Sequence, residues 1–242
     1  SKKNNLILDQ TSVAEISGSP AHTAVFHDEN PECPPAERFK MVMRGKKPKG
    51  LYLLVSRDGI NFQLKKNQPF TTRGAFDSQN LMFWDPGQKV YREYHRSFRN
   101  GLRGIMTASS PDPTKFPEPQ WLQYPGSAQH ALYTNQVQPY YRAPHIMLGF
   151  PMRYIDRGWT PSTERLPNLK DRRYRAAKSR RYGTAITDAL LISSRDGLQF
   201  SLWDEAFIRP GPSREDTWVY GDNFVFWGMV ETPSHLSAAP PE

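Results

Sequence analysis

Apolar positions along the chain fall in short, alternating or continuous runs separated by Pro, Asn, Asp and Gly, the spacing of strands rather than helices. The runs are LILD near residue 6, HTAVFHD near 25, FKMVMRG near 41, LYLLVS near 53, NLMFWD near 82, VYREYHRSF near 93, GIMTAS near 106, HIMLGFPMRY near 149, AITDALLIS near 189 and NFVFWGMVE near 227. One phrase occurs twice, as LYLLVSRDGINF ending at Phe62 and ALLISSRDGLQF ending at Phe200. In each, Ser-Arg-Asp-Gly follows an apolar run and precedes an aromatic, the chemistry of a strand, a tight turn and a returning strand. A weaker copy, TASSPDPTKFPEPQW, runs from Thr107 to Trp121. Recurrence of one hairpin unit predicts an all-β architecture of repeated sheets, an antiparallel β-propeller of four to five blades at roughly 50 residues per unit. Asp58 and Asp112 are 54 residues apart and Asp112 and Asp196 are 84 apart, so the second interval is expected to hold both an insertion and a further blade. The two Ser-Arg-Asp-Gly hairpins should occupy equivalent places in different sheets, with Phe62 and Phe200 packed between sheets.

The 242 residues suffice for one large β domain, taken as residues 1–242. Aromatics make up 12% and the chain holds 22 Pro, which with the recurring apolar runs describes a turn-rich globular protein rather than a disordered one. No apolar run reaches the ~18 residues of a membrane span, and the opening SKKNNLIL lacks the apolar stretch of a signal peptide. The one cysteine, Cys33, excludes an internal disulfide and a multi-cysteine metal site. A net charge of +8 is concentrated in residues 153–181, RYIDRGWTPSTERLPNLKDRRYRAAKSRR, expected to be an irregular, exposed basic excursion near a channel mouth. Its partners by charge are an acidic polysaccharide, an anionic membrane surface or nucleic acid; nucleic acid is disfavoured because no nucleic-acid-binding motif accompanies it.

Beyond these patterns, VFHDENPECPPAERFKMVMRG, GLYLLVSRDGINF, FDSQNLMFWDPGQKVYREYHR, RAPHIMLGFPMRY, TDALLISSRDGLQF and EAFIRPG resemble a group of bacterial proteins often called glycosyl hydrolase family 32 N-terminal-like. That group is related to the five-bladed β-propeller glycoside hydrolases of families 43 and 32. The resemblance covers nearly the whole chain and is similar to a fragment or minimal version of such a protein. It implies a five-bladed propeller, incomplete in this chain, that hydrolyses glycosidic bonds in an oligosaccharide or polysaccharide, acidic or sulfated polymers included. It also implies secretion or a periplasmic location and no cofactor. The alternative is a non-catalytic propeller that binds glycan or protein, because a fold alone does not supply an active site.

Glycoside hydrolysis requires two carboxyl groups, about 5 Å apart for retention or about 6.5–9.5 Å for inversion. In a propeller they would come from the inner strands that line the channel. Asp58 and Asp196 are explained as turn formers, as are Asp85 and Asp112 before prolines. The remaining candidates are Asp28 in AVFHDEN, Asp77 in GAFDSQN, Asp188 inside the apolar TAITDALLIS and Glu231 at the end of FWGMVETP. Asp77 stands where the related hydrolases place channel acids. An unpaired charge at Asp188 would be costly, so it needs a partner or a wet cavity. Asp77 and Asp188 are expected in one channel, with Asp28 or Glu231 completing the acid–base set and Arg96 or Arg142 keeping one acid ionised. Arg96, Arg142 and Arg153 are candidate substrate contacts, since a guanidinium matches a carboxylate or sulfate bidentately, and His145 beside the same apolar strand is a further one. Tyr141 is a candidate platform for a sugar face. No histidine and carboxylate spacing suggests a metal site, no glycine-rich phosphate loop is present and no Ser-His-Asp triad can be assigned.

Overall fold

The computed structural model describes residues 5–9, 11–219 and 223–233. Within them the chain is predominantly β, in three antiparallel sheets. The first sheet takes β1 (Ser19–His27), β2 (Phe39–Lys46), β3 (Lys49–Ser56) and β4 (Gln63–Leu64) in chain order, and the middle sheet takes β5 (Leu81–Asp85), β6 (Val90–Arg99), β7 (Leu102–Ser110) and β8 (Gln120–Trp121). The third contains β9 (Gln138–Tyr140), β10 (Ala143–Gly149), β11 (Met152–Ile155), β12 (Ile186–Ser194) and β13 (Ser201–Ile208). β10 and β11 are one strand broken at Phe150-Pro151: both pair with β12, through Gly149 opposite Ile192 and Met152 opposite Ala189. Proline has no N–H to give the ladder, so the expected single HIMLGFPMRY strand splits there.

The repeated phrase makes the same turn each time, between the third and fourth strands of a sheet. The Ser56 hydroxyl accepts from the Asp58 and Gly59 N–H groups, and Asp58 Oδ1 accepts from Ile60 and Asn61 at 2.9 and 2.8 Å. Ser194 and Asp196 repeat this with Gly197, Leu198 and Gln199. In the degenerate copy, Ser110 accepts from Asp112 N–H and Asp112 from Thr114 N–H. These side chains satisfy backbone donors that the sheet leaves unpaired as the chain reverses. Gly59 and Gly197 supply φ of 72° and 73°.

Sheets pack face to face. Phe26, Val42, Leu51, Leu53 and Val55 of the first sheet meet Met82 and Tyr91 of the middle one. Leu81, Phe83, Tyr94 and Ile105 on the other face of the middle sheet meet Met147, Leu190, Ile192 and Phe200 of the third. Alternation along β6 explains the two-sided burial: Tyr91 points one way and reaches Asp28, while Tyr94 points the other way and donates to Gly197 O at 2.8 Å. Lying between two sheets, β6 is buried on both faces from Tyr91 to Arg96.

Four expectations are revised. LILD is no strand, because Asp9 accepts from Ser12 N–H and starts the 3-10 segment Thr11–Ile16, whose Val13 and Ile16 cover the outer face of the first sheet. NFVFWGMVE joins no sheet; each of its hydrogen bonds involves a side chain, as in Trp227 Nε1 donating to Val137 O at 2.9 Å and Val225 O accepting from Gln136 Nε2 at 2.8 Å. The 84-residue interval contains an insertion within the third sheet and no further sheet. Phe200 is buried between sheets, but Phe62 is only half-buried and packs in the cluster under the 3-10 segment.

A Cβ at Gly197 would stand 2.7 Å from the Arg92 guanidinium and 2.8 Å from the Tyr94 hydroxyl. At Gly101, in the Asn100-Gly101 turn after β6, φ is 78° but the space around a Cβ is open. Gly101→Ala should therefore cost only the backbone term, about 1–2 kcal/mol, whereas Gly197→Ala adds displacement of Arg92 and should cost about 3 kcal/mol, read by urea unfolding.

Candidate functional site

The C-terminal ends of β1, β5 and β9 converge on one cleft, and the segments preceding β5 and β9 help to form another. The second has a cavity of about 320 Å³ lined by Asp77, Arg96, Phe98, Arg103, Tyr133, Met152, Tyr154, Arg181, Tyr182 and Phe224. Among the described residues, three arginines thus face one carboxylate.

Each group is delivered by the fold. The loop carrying Asp77 is pinned where Ala75 N–H donates to Arg96 O at 2.8 Å and closed by Asn80 Nδ2 donating to Phe76 O and Ser78 O. Residues 131–133 bridge two sheets: Leu132 N–H donates to Arg103 O and Tyr133 N–H to Met152 O, which sets Tyr133 between β7 and β11. Arg181 and Tyr182 arrive from the insertion between β11 and β12. That segment was expected to be irregular and exposed, yet it contains α1 (Leu169–Ala176) and two short 3-10 turns. Its residues LKDRRYRA hold no Gly, Pro or β-branched side chain to oppose a helix. Arg172 is fully buried there, donating to the carbonyls of Pro167, Gly183, Trp218 and Val219 and to Ser213 Oγ, and so braces the 3-10 turn Arg180–Gly183 that presents Arg181. Arg172 is a strut rather than one of the free surface charges.

Aromatic faces carry the cations. The Arg103 guanidinium lies 4.6 Å from the Tyr154 ring centroid, 5.3 Å from Tyr133 and 5.6 Å from Phe98. Arg96 shares Phe98 and Tyr133 at 4.9 and 5.0 Å, and Arg181 lies over Tyr154 at 5.8 Å. Arg96 pairs with Asp77. The Arg103 guanidinium makes no hydrogen bond to a described residue, and its Nε is buried without a partner. Burial, followed by repulsion from Arg181 and Arg96, pushes its pKa below the ordinary arginine value. Partial burial would raise the Asp77 carboxyl, but the hydrogen bond and charge of Arg96, with the charge of Arg44, outweigh it and hold the carboxyl below its usual range. With 60% of its side chain exposed, Asp77 is an ionised carboxylate open to the cleft.

The other predicted acids lie elsewhere. Asp28 is wholly buried between the first and middle sheets, accepting from Lys40 Nζ at 2.5 Å, Tyr91 OH at 2.8 Å and Asn30 N–H at 3.0 Å. Burial raises its carboxyl, but those donors prevail and hold it below the ordinary value of 3.8. Asp188 accepts from Arg153 Nε and Nη2, at 2.9 and 2.7 Å, directly across β11 and β12. Along β11, Met152 and Tyr154 line the cleft while Arg153 alternates to the opposite side, so Asp77 and Asp188 do not share it. Glu231 accepts from Tyr141 OH at 2.8 Å and pairs with Arg142 at 3.0 Å, beside the other cleft. His145 is exposed on β10 and lines neither cleft. Of the predicted residues the arginine cleft gathers Asp77 and Arg96. Reading the sequence missed Arg103, Tyr133 and Tyr154; Arg181 was visible only as part of a basic run. Among the described residues no group of three or more His, Cys, Asp and Glu is arranged to hold a metal.

No protein-family model matches the chain, and no curated protein matches it at a significant level. Among solved structures it is similar to an N-acetylgalactosamine deacetylase from F. plautii in complex with blood group B trisaccharide, with 12% identity and a TM-score of 0.39 over 79% of this chain and 71% of that one. It is also similar to a glycoside hydrolase, with 13% identity and a TM-score of 0.44 over 82% of this chain; the match spans 60% of that protein's length. Both are carbohydrate-active proteins, and at this similarity neither assigns a role to a residue of this chain.

The buried Asp28 and Lys40 pair sets an acid limit on stability. A folded-state carboxyl held below 3.8 contributes stability that is complete above about pH 4 and is lost as pH falls through its depressed value, because the unfolded chain takes up the proton first. Asp28→Asn should flatten that acid dependence and, by leaving the Lys40 charge buried without its partner, cost about 3–5 kcal/mol at neutral pH in urea unfolding.

Proposed function

We propose that the protein acts on carbohydrate and seats the anionic group of an acidic sugar in the Asp77, Arg96, Arg103 and Arg181 cleft. The observation that carries this is Arg103: a guanidinium held between three aromatic rings, in a cleft where the described residues give it no hydrogen-bonding partner and supply more cations than carboxylates. A carboxylate or sulfate would satisfy its donors in the planar geometry that arginine offers and would relieve its repulsion with Arg96 and Arg181. The cavity, near 320 Å³, is of the size that small ligands occupy. Three antiparallel sheets in succession, each with its serine and aspartate turn, support the propeller as the architecture, with β1, β5 and β9 as inner strands.

Within this reading the binding function is favoured. Hydrolysis calls for two facing carboxyl groups, and among the described residues Asp77 is the carboxylate the cleft contains. The hydrolytic reading rests on Asp77 itself, because a carboxylate kept ionised by Arg96 suits a base or nucleophile and not a proton donor. The same site would then require an acid from elsewhere in the assembled propeller.

Binding of trigalacturonate and of neutral galactotriose, measured by calorimetry, tests the proposal. The acidic trimer should bind more tightly, with an affinity that falls as salt is raised, and Arg103→Ala should weaken it about tenfold or more, equivalent to at least ~1.4 kcal/mol. Equal affinity for both trimers, or an unaffected Arg103→Ala, rejects the anionic site. Asp77→Asn abolishes turnover only if the hydrolytic reading holds.

A further inference from the structure

We infer that the cleft at the C-terminal ends of β1, β5 and β9 is a second and separate carbohydrate site, taking a neutral sugar. It has a cavity of about 370 Å³ and is walled by Phe26 of β1, Trp84 of β5, Gln138 of β9, Tyr141 and Trp227, with Glu29 at its rim. The indoles are held in place. Trp84 meets Tyr91 edge-on with centroids 5.0 Å apart, and Trp227 is fixed by its hydrogen bond to Val137 O.

Charge separates this cleft from the arginine cleft. Its cations are already matched: Arg142 pairs with Glu231, which also accepts from Tyr141, and Lys40 beneath the floor pairs with Asp28. The surroundings therefore present ring faces together with an amide, an imidazole at His27 and a carboxylate at Glu29. A pyranose has the complementary make-up: a face of C–H groups that packs on an aromatic ring and an equatorial rim of hydroxyls that donate to a carboxylate and exchange hydrogen bonds with an amide. An anion would meet Glu29 with no unmatched cation among the described lining residues to compensate it. The packed inner strands lie between the two clefts, so this position binds its sugar independently of Arg103.

Intrinsic tryptophan fluorescence reads the site, since two of the chain's six tryptophans line it. Cellohexaose, xylohexaose and maltohexaose are the probes. At least one should give a saturable change, weakened about fivefold or more by Tyr141→Ala at the half-exposed rim and by Trp84→Phe, with unchanged melting of Tyr141→Ala confirming that the fold is intact. Arg103→Ala should leave this binding as it was. Absence of a saturable change with all three hexaoses overturns the inference, as does wild-type affinity in both cleft variants. Trigalacturonate binding persists in either case if the anionic site is correct, so the two readings fail separately.

Discussion

Like charges crowded together in a partly dry site are costly, and the arginine cleft is arranged around that cost. Arg96, Arg103 and Arg181 converge on shared rings, with Asp77 the one carboxylate that the described residues bring to the cleft. The quadrupoles of Tyr133, Tyr154 and Phe98 offset part of the repulsion, at about 0.5–2 kcal/mol for each cation, but a ring face satisfies no N–H donor. Burial and the repulsion of Arg181 and Arg96 depress the Arg103 pKa, and its buried Nε has no partner among the described residues, the state that an incoming anion would relieve. Stability and recognition are opposed here: the charge arrangement that weakens the empty protein is the one that would strengthen its complex.

The remainder of the fold supports that arrangement by making its neighbours rigid. Pairing of the middle sheet with a sheet on either side leaves β6 no free face, so Arg96 is fixed in place with its head at the cleft edge. The serine and aspartate turn of the third sheet docks by Gly197 against Arg92 and Tyr94 of the middle sheet. Arg172 then holds the inserted helix and the turn behind Arg181 through five hydrogen bonds. Acids that a motif reading would assign to chemistry are instead used to join strands: Asp28 ties the first sheet to the middle one, and Asp188 with Arg153 ties β11 to β12.

What was legible in the sequence was local. The Ser-Arg-Asp-Gly phrase specifies a turn through hydrogen bonds confined to a few residues, so its recurrence correctly placed three hairpins and the all-β class. Strand runs were legible wherever the side chains alternated or were continuously apolar. LILD and NFVFWGMVE misled because apolar content does not reveal whether a backbone partner exists; Asp9 captures one segment and side-chain docking the other. Asp77 could be singled out since it stands just ahead of the apolar run that forms β5. Arg103 could not, because in GLRGIM it looks like any solvated strand arginine, and only the bridging of β7 to β11 by residues 131–133 brings Tyr133 and Tyr154 to it. Arg172 was misjudged for the converse reason, its burial depending on carbonyls more than 40 residues away.

The most direct test is a titration of the protein with trigalacturonate, followed through the arginine Nε–H resonances in nitrogen-edited NMR. The account predicts saturable shifts of Arg103, Arg96 and Arg181 with a common dissociation constant, Arg103 moving most and the buried Arg172 staying still. Shifts confined to exposed arginines such as Arg57 and Arg195, or an Arg103 signal unmoved at saturation, would contradict it.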